Sequence, residues 1–430
     1  KEADLNCKKI LLVGGSRKER STLREHLNCW GCRTLDASDG KDALSNLGEY
    51  ALSKEPFNLV MIDFQIPGTN GFELAKEIRA TEALNGVPIV LLTSVGKIGD
   101  GNICRDMGID GYLSKPVDKD DLKGVIELVL TLSNGDEKLS ERRLITRHTV
   151  AEEYKKEVRI LLAEDYITNQ KVAMKHLCGA GYQVDLAENG QQAVDLSRRK
   201  RYDLILMDIQ MPKIGGFEAT GEIRRLESQK LSMRGEINRM PIIAMTAHAM
   251  KGYRQRCIDA GMDDYISKPL KRSNLLALVE KWITSTAQGK RIKDQRTKEA
   301  IDLQPSIINR KSKDCAPLNF EGAVKEFEGD KEFLIEILGD FFGEVMSQTE
   351  TIRQAISDDD SEVIRREAHA IKGGAANLRA EPLSLIAYEL EKIGKSGFSA
   401  GGIEILERLE KEFHRLEEYT KGIQNNRIHL

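Results

Sequence analysis

Short apolar runs alternate with amphipathic stretches twice along the first two thirds of the chain. The run Lys9–Val13 opens the first copy, and Arg159–Ala163 opens the second in the same way. Uninterrupted apolar runs are typical of strands buried on both faces, and their alternation with helices is typical of a parallel sheet covered on both sides. The pattern therefore predicts two doubly wound α/β domains, over 5–133 and 158–284.

From residue 319 the apolar positions change to helical spacing. They recur every three or four residues, for example at Ile337, Phe341 and Val345. The run Ser357–Ser361 interrupts this spacing, and its Asp and Ser side chains can accept hydrogen bonds from the free amides of a new helix. A bundle of about four antiparallel helices is predicted over 318–425. The expected fold class is α/β followed by all-α.

Two charged segments without apolar periodicity, 134–157 and 285–317, are predicted to be linkers. The net charge of −3 gives no general attraction to nucleic acid or to an anionic membrane. No apolar stretch approaches the roughly 18 residues that span a bilayer. The seven irregularly spaced cysteines are typical of free thiols in a reducing compartment. We expect a cytoplasmic segment that contacts neither nucleic acid nor membrane, cut from a longer protein that could carry a membrane-bound sensor.

Polar residues stand at the predicted carboxyl ends of the strands in the second copy, namely Glu164, Asp165, Asp208, Thr246 and Lys268. Ligands of open parallel sheets bind at this edge. Three converging carboxylates repel one another unless a cation neutralises them, and oxygen ligands suit Mg²⁺. Asp208 follows four apolar residues, so it is the candidate nucleophile for an acyl phosphate. Thr246 could hydrogen-bond a phosphoryl oxygen, and Lys268 supplies a positive charge.

Residues 158–284 resemble a response-regulator receiver domain, because all five of these separated positions match. The resemblance implies a flavodoxin-like fold in which Asp208 is the phosphoacceptor. It also implies that Glu164 and Asp165 hold Mg²⁺ together with Asp208, and that Gln210 adds its backbone carbonyl to the metal.

The resemblance extends to residues that act beside the phosphoacceptor. Tyr265 would be the aromatic switch that moves together with Thr246. The Lys268–Pro269 peptide bond is expected to be cis.

The first copy resembles the same family but lacks two of its acids. Asp63, Thr93 and Lys115 match the family pattern. Gly14 and Gly15 stand where the second copy has its two acids. Without these carboxylates, Mg²⁺ loses most of its charge partners, and phosphorylation of Asp63 should be slow or absent. We expect a structural or regulatory pseudo-receiver with Mg²⁺ at the second receiver only, and a weakly phosphorylated Asp63 is the alternative.

His369 has an unusual setting, AHAIKGGAA. On a helix, His369, Lys372 and Gly373 share one face. Glycine inside a helix costs about 1 kcal/mol relative to alanine, but bare backbone lets a partner surface approach closely. Residues 318–425 resemble a histidine-phosphotransfer domain, in which His369 matches the phosphorylated histidine and Lys372 and Gly373 match its flanks.

The whole chain resembles the C-terminal relay portion of a hybrid sensor histidine kinase. It contains no nucleotide-binding glycine box, so we expect the part of such an enzyme that does not itself use ATP. The resemblance implies that Asp208 accepts a phosphoryl group from an upstream kinase histidine and exchanges it with His369. A downstream response regulator would then receive it.

Two other hypotheses stay open. In one, the chain is a regulatory scaffold whose first receiver docks the kinase. In the other, His369 drains phosphoryl groups back from a regulator, so that the chain is a phosphate sink.

Overall fold

The computed structural model describes residues 4–51, 53, 55–94, 100–133, 144–234, 239–246, 253–287, 316–397 and 401–426. The chain divides into two compact units, Lys1–Tyr154 and Lys155–Leu430. The predicted linker 285–317 lies almost entirely outside the described residues. Within the described ranges, no helix combines the length and the apolar character needed to cross a membrane.

The first unit contains a parallel sheet whose strands alternate with helices. The strands of this sheet are β1 (Lys9–Val13), β2 (Arg33–Ala37), β3 (Leu59–Asp63), β6 (Ile89–Thr93), β7 (Gly111–Ser114) and β8 (Ile145–Thr146), whereas β4 (Gln65–Ile66) and β5 (Thr69–Asn70) form a separate antiparallel pair. Its helices are α1 (Arg17–Cys29), α2 (Gly40–Ala51), α3 (Gly71–Ala80), α4 (Asp100–Asp106) and α5 (Lys119–Ser133), and α6 (Arg147–Glu157) follows β8. The strand order β2-β1-β3-β6-β7-β8 contains the flavodoxin-like order, which confirms the predicted fold.

β8 is an additional edge strand inside the predicted linker 134–157. It pairs in parallel with β7, and Leu144, just before the strand, and Ile145, within it, are both buried. Val150 fills the space beside Gly124, where a Cβ would lie 2.5 Å from the Val150 Cγ1. The end of this segment is therefore structured, because two adjacent apolar residues within charged surroundings are enough to add a strand to an existing sheet edge.

The second α/β domain repeats the architecture. Its strands are β9 (Arg159–Ala163), β10 (Gln183–Ala187), β11 (Leu204–Asp208), β12 (Ile242–Thr246) and β13 (Asp264–Ser267). Its helices are α7 (Ile167–Gly179), α8 (Gly190–Arg199), α9 (Gly216–Arg234), α10 (Tyr253–Asp259) and α11 (Arg272–Ala287). The strands run parallel in the order β10-β9-β11-β12-β13. β11 and β12 are buried along their whole length, and an apolar core lies on each face of the sheet.

The helical domain closes into a bundle, as predicted. Its helices are α12 (Phe320–Glu326), α13 (Lys331–Ser357), α14 (Ser361–Asn377), α15 (Glu381–Ser396) and α16 (Gly402–Asn426). Each of the last four packs on the next, and α16 returns to α13. Asp360, within the run Ser357–Ser361, caps α14 by accepting a hydrogen bond from the Val363 amide at 3.0 Å. This confirms the predicted helix start.

The helical domain packs on α7 within the same unit. Tyr166 and Val172 belong to the buried apolar cluster of the helical domain. The Asn377 side chain accepts from the Leu270 amide at 2.8 Å and donates to Asn169 at 2.7 Å. Because buried amides are costly unless they are paired, these bonds fix how the two domains meet.

Gly394 allows α14 and α15 to approach closely. A Cβ at this position would lie 2.5 Å from the backbone nitrogen of Arg365. We expect Gly394→Ala to destabilise the second unit by about 1–3 kcal/mol, because backbone must move to make room. Urea unfolding followed by circular dichroism measures the effect.

Gly339→Ala is the matched control. Gly339 is exposed on α13, and its Cβ would meet nothing within 4 Å. This change should be neutral or stabilise by up to about 1 kcal/mol through helix propensity. Equal effects of the two substitutions would contradict the argument.

Candidate functional site

Three carboxylates and one ammonium group meet at the carboxyl edge of the second sheet. Asp208 ends β11, Glu164 and Asp165 follow β9, and Lys268 follows β13. The Lys268 Nζ lies 2.7 Å from the Glu164 Oε2 and 2.7 Å from the Asp208 Oδ2. One oxygen of each carboxylate lies within 4.8 Å of the other two. The structure thus brings these four predicted site residues together.

Burial makes the charges of this pocket costly. Desolvation raises the pKa of Glu164 to about 8 and that of Asp165 to about 6, and the nearby Asp208 raises both. Burial by itself would lower the pKa of Lys268, but the Asp208 and Glu164 carboxylates raise it by more. With all three carboxylates ionised, the single ammonium group leaves two negative charges uncompensated. An all-oxygen donor set at this spacing fits a hard divalent cation such as Mg²⁺.

The remaining predicted residues surround the pocket. Thr246 ends β12 and is buried, and its carbonyl accepts from the Lys268 amide at 2.7 Å. Tyr265 lies on β13, half-buried against one of the two sheet cores. The Gln210 amide donates to the Asp208 Oδ1 at 3.3 Å. The Lys268–Pro269 bond is cis.

The corresponding pocket of the first domain has a different charge pattern. Asp63 ends β3, Thr93 ends β6, and Lys115 follows β7 and forms an ion pair with Asp63. Gly14 and Gly15 follow β1 with φ of 74° and 70°, in the left-handed region that favours glycine. A Cβ on Gly15 would lie 2.6 Å from the Asp63 Oδ2. In this backbone, a side chain at Gly15 would displace the carboxylate.

Glu19 takes part in the first pocket, although the sequence analysis did not identify it. Its Oε1 accepts from the Lys115 Nζ at 2.7 Å, and its Oε2 accepts from the Ser16 amide at 2.8 Å. The Lys115 bond is the main reason why the pKa of Glu19 falls to about 2. Ser16 in turn caps α1, and the S-x-x-E spacing of this capping box was the available signal. Within the described part of the chain, a group of three side chains spaced to hold a metal ion occurs only in the second domain.

His369 lies on α14 and is held by a carboxylate from α15. Its Nδ1 lies 3.1 Å from the Glu391 Oε1, and Glu391 is fully buried. Glu391 also accepts from Lys372 at 2.5 Å and from Lys395 at 2.7 Å. With the Nδ1 proton donated to Glu391, the lone pair of the imidazole is on Nε2, which is therefore the candidate nucleophile.

The electrostatic surroundings keep His369 neutral. Burial lowers the pKa of His369, and Lys372 adds to this, while Glu391 and the Asp208 carboxylate oppose it. Burial also lowers the pKa of Lys372, and Lys268 contributes to that shift. Charges of the acid pocket thus act on both residues. A neutral imidazole is the form that can attack phosphorus.

Two glycines after Lys372 face the second α/β domain, and one of them, Gly374, is required for the close approach. A Cβ on Gly373 would lie 3.5 Å from the Asn169 Nδ2, and one on Gly374 would lie 2.6 Å from a ring carbon of Tyr166. The bare backbone predicted around Gly373 is thus in contact with the second α/β domain, and Gly374 is the tighter of the two positions.

Asn169 connects the acid pocket to the helical domain, and the sequence analysis missed it. It donates to the Glu164 Oε1 at 2.8 Å and accepts from Asn377 at 2.7 Å. Nothing in the sequence distinguishes it from other polar helix residues. Glu391 was also missed, although it falls among the buried positions Leu390 and Gly394 of α15, where a charge is unexpected.

Glu391→Gln should lower the pKa of His369 further. The Glu391 carboxylate opposes the effects of burial and of Lys372, and an amide would not. An NMR titration of the His369 ring protons measures this. Glu389→Gln is the control, because Glu389 is paired with Arg408 at 2.6 Å on the exposed side of the same helix. An unchanged or raised pKa in Glu391→Gln would contradict the assigned role.

Family models match both kinds of domain. The response regulator receiver domain matches residues 10–127 and 160–280, together more than half of the chain, and the Hpt domain matches residues 336–419. The sensor protein GacS of Pseudomonas syringae pv. syringae is 26% identical over 259 residues, 60% of this chain and 27% of that protein. The hybrid signal transduction histidine kinase B of Dictyostelium discoideum is 42% identical over 121 residues, 27% of this chain and 6% of that protein. The chain spans less than a third of the length of these curated relatives.

Two of the solved structures that are similar to this chain match a part of it the size of a single domain. The receiver domain of a Pseudomonas aeruginosa sensor histidine kinase, solved with magnesium coordinated in its active site cleft, is 44% identical, covers 30% of this chain and 98% of that chain, and has a TM-score of 0.27. The complex of the Saccharomyces cerevisiae histidine phosphotransfer protein Ypd1 with the receiver domain of its downstream regulator Ssk1 gives 30% identity, 30% and 91% coverage and a TM-score of 0.29.

Proposed function

We propose that this chain, which belongs to the response regulator receiver family and ends in an Hpt domain, passes a phosphoryl group between Asp208 and His369 in a multistep phosphorelay. The observation that supports the proposal is the packing of α7 against α14, where Asn377 of α14 donates to Asn169 of α7 at 2.7 Å and Asn169 donates to Glu164, in the pocket of Asp208, at 2.8 Å. An upstream histidine kinase core would supply the phosphoryl group, and a downstream response regulator would receive it.

In the first step, the P–N bond of a kinase phosphohistidine breaks and a P–O bond forms at the Asp208 carboxylate. Lys268, 2.7 Å from this carboxylate, stabilises the negative charge of the phosphoryl oxygens. Thr246 donates its hydroxyl to another of these oxygens. The buried strands hold all three residues in place, so catalysis rests on positioning and charge.

In the second step, the P–O bond at Asp208 breaks and a P–N bond forms at the His369 Nε2. The Nδ1 proton stays on the imidazole, and Glu391 stabilises the positive charge that the ring acquires. Lys372 lies on the same helix face and neutralises the phosphoryl group. The same contacts serve transfer in the opposite direction, so a phosphate sink would use the same residues.

Mg²⁺ is assigned to the second receiver only. Glu164, Asp165 and Asp208 would hold it, with the Gln210 backbone carbonyl as a further ligand. When bound, the ion would neutralise negative charge on the carboxylates and on the phosphoryl oxygens. The spacing of the three acids supports this assignment.

The first receiver is assigned a structural or regulatory role, with docking of the kinase as the scaffold alternative. Lys115 is paired with both Asp63 and Glu19, and Gly14 and Gly15 supply no ligand. Asp63 therefore has the position of a nucleophile without the acids that would hold a metal beside it.

Isothermal titration calorimetry should detect one Mg²⁺ site per chain. Asp165→Asn should weaken binding at least about tenfold by removing a ligand, and Asp63→Asn should leave it unchanged. The Mg²⁺ affinity should decrease as the pH is lowered from about 8 to about 6. The pKa values of Glu164 and Asp165 are raised, so in this range the two carboxyl groups take up protons that they must lose before they can bind the ion. A second site, or loss of binding in Asp63→Asn, would refute the assignment.

Acetyl phosphate carrying a labelled phosphoryl group tests the relay. Phosphohistidine survives alkali and aspartyl phosphate does not, so the two products can be separated. Asp208→Asn should lower all incorporation at least about a hundredfold by removing the nucleophile. His369→Gln should leave only alkali-labile label, and Asp63→Asn should behave like the unmodified chain. Alkali-stable label at His369 in Asp208→Asn would show that the proposed order is wrong.

A further inference from the structure

The second receiver contacts the Hpt domain through two apolar anchors. The Val172 side chain, on α7, is 1% exposed and lies within the buried cluster of the Hpt domain. Tyr166, just before the helix, packs in the same cluster, and its hydroxyl donates to the Gln348 Oε1 at 3.2 Å. Burial of this kind supplies most of the contact energy of an interface.

Two lysines of the same helix surround these anchors with ion pairs. Lys171 pairs with Asp340 and, at 3.3 Å, with Glu336 on α13. Lys175 pairs with Asp330, the residue that caps α13. The side chains of Lys171 and Lys175 are about one third exposed, at 36% and 33% respectively. Pairs at such a rim contribute more to the choice of partner than to affinity.

The first receiver differs at all four positions. Its helix α1 (Arg17–Cys29) and α7 (Ile167–Gly179) have bounds that differ by 150 at both ends, so residues 150 positions apart correspond. In place of the anchors, Ser16 corresponds to Tyr166 and Thr22 to Val172. In place of the lysines, Ser21 corresponds to Lys171 and Glu25 to Lys175. A carboxylate at the Lys175 position would face Asp330 and repel it.

The difference does not come from total charge, because α1 also carries basic residues. Lys18 corresponds to Thr168, whose hydroxyl donates to Glu344 at 2.5 Å. Glu19 corresponds to Asn169, the residue that joins the acid pocket to Asn377. In the first receiver this position is already bound to Lys115. The two receiver helices therefore differ in which residue stands at each contact position, not in their total charge.

We propose that the Hpt domain selects receivers by these four positions of the first receiver helix, taking apolar residues at those of Tyr166 and Val172 and basic residues at those of Lys171 and Lys175. This inference rests on the proposed function. This selection excludes the first receiver of the same chain from phosphoryl exchange with His369. It also defines the partner, since a separate receiver that exchanges phosphoryl groups with His369 must meet the same acidic helix.

The double variant Lys171→Glu/Lys175→Glu of the full chain, loaded with acetyl phosphate, tests this selection. Asp208 should be labelled at the unmodified rate, because its pocket is untouched. Alkali-stable label at His369 should appear at least about tenfold more slowly, because the two new carboxylates would face the three acids Asp330, Glu336 and Asp340 across the interface. A rapid-quench time course follows both products.

A charge exchange and a control complete the test. Lys171→Asp combined with Asp340→Lys should recover most of the rate lost in Lys171→Asp alone; Asp340 is chosen because Asp330 also caps α13. Lys200→Glu should transfer at the unmodified rate, because Lys200 pairs with Asp185 inside the receiver at 2.8 Å.

The outcomes separate the two claims. Unmodified transfer in the double variant, or failure of the charge exchange to recover the rate, would overturn the selection while the relay stands. If Asp208 is labelled in the unmodified chain and His369 never is, the proposed function fails and the selection fails with it.

Discussion

Repulsion among three carboxylates at a buried sheet edge is the constraint on which the second receiver depends. Glu164, Asp165 and Asp208 are brought together by strands that are themselves fully buried, and a single ammonium group, Lys268, lies among them. Such an arrangement is unfavourable until further positive charge arrives. The uncompensated charge makes the pocket suited to a cation and a phosphoryl group, and the rigid strands prevent it from relaxing.

The first receiver meets the same constraint in another way. Its pocket has two carboxylates for one ammonium group, because Glu19 from α1 joins Asp63 at Lys115 while Gly14 and Gly15 contribute no charge. Glu19 is held by a capping box that depends only on local helix geometry, so the arrangement persists without any ligand. With glycines at these two positions the first pocket carries less negative charge, and the helix residue Glu19 pairs with Lys115 beside Asp63.

Most of the fold could be predicted from the sequence, because apolar periodicity reports burial directly. The five polar residues at strand ends were also predictable, since the end of a buried run fixes where a side chain emerges. Glu19, Asn169 and Glu391 were not predicted, because each acts through a contact with another element that periodicity does not encode. The strand β8 was missed for a related reason: two apolar residues add to an edge only when the sheet is already there.

The proposed transfer between Asp208 and His369 imposes opposing demands on the interface. Attack by nitrogen on phosphorus requires close approach of the two domains, and Gly374 permits it. A relay also requires release, because the same histidine must then face another receiver. The buried Asn377 bonds fix the geometry, whereas the half-exposed lysine pairs contribute modest energy that water can replace. Because the two domains share one chain, their effective concentration is high, and weak contacts are sufficient to bring them together. The geometry of the interface can therefore be well defined although the affinity between the domains is low.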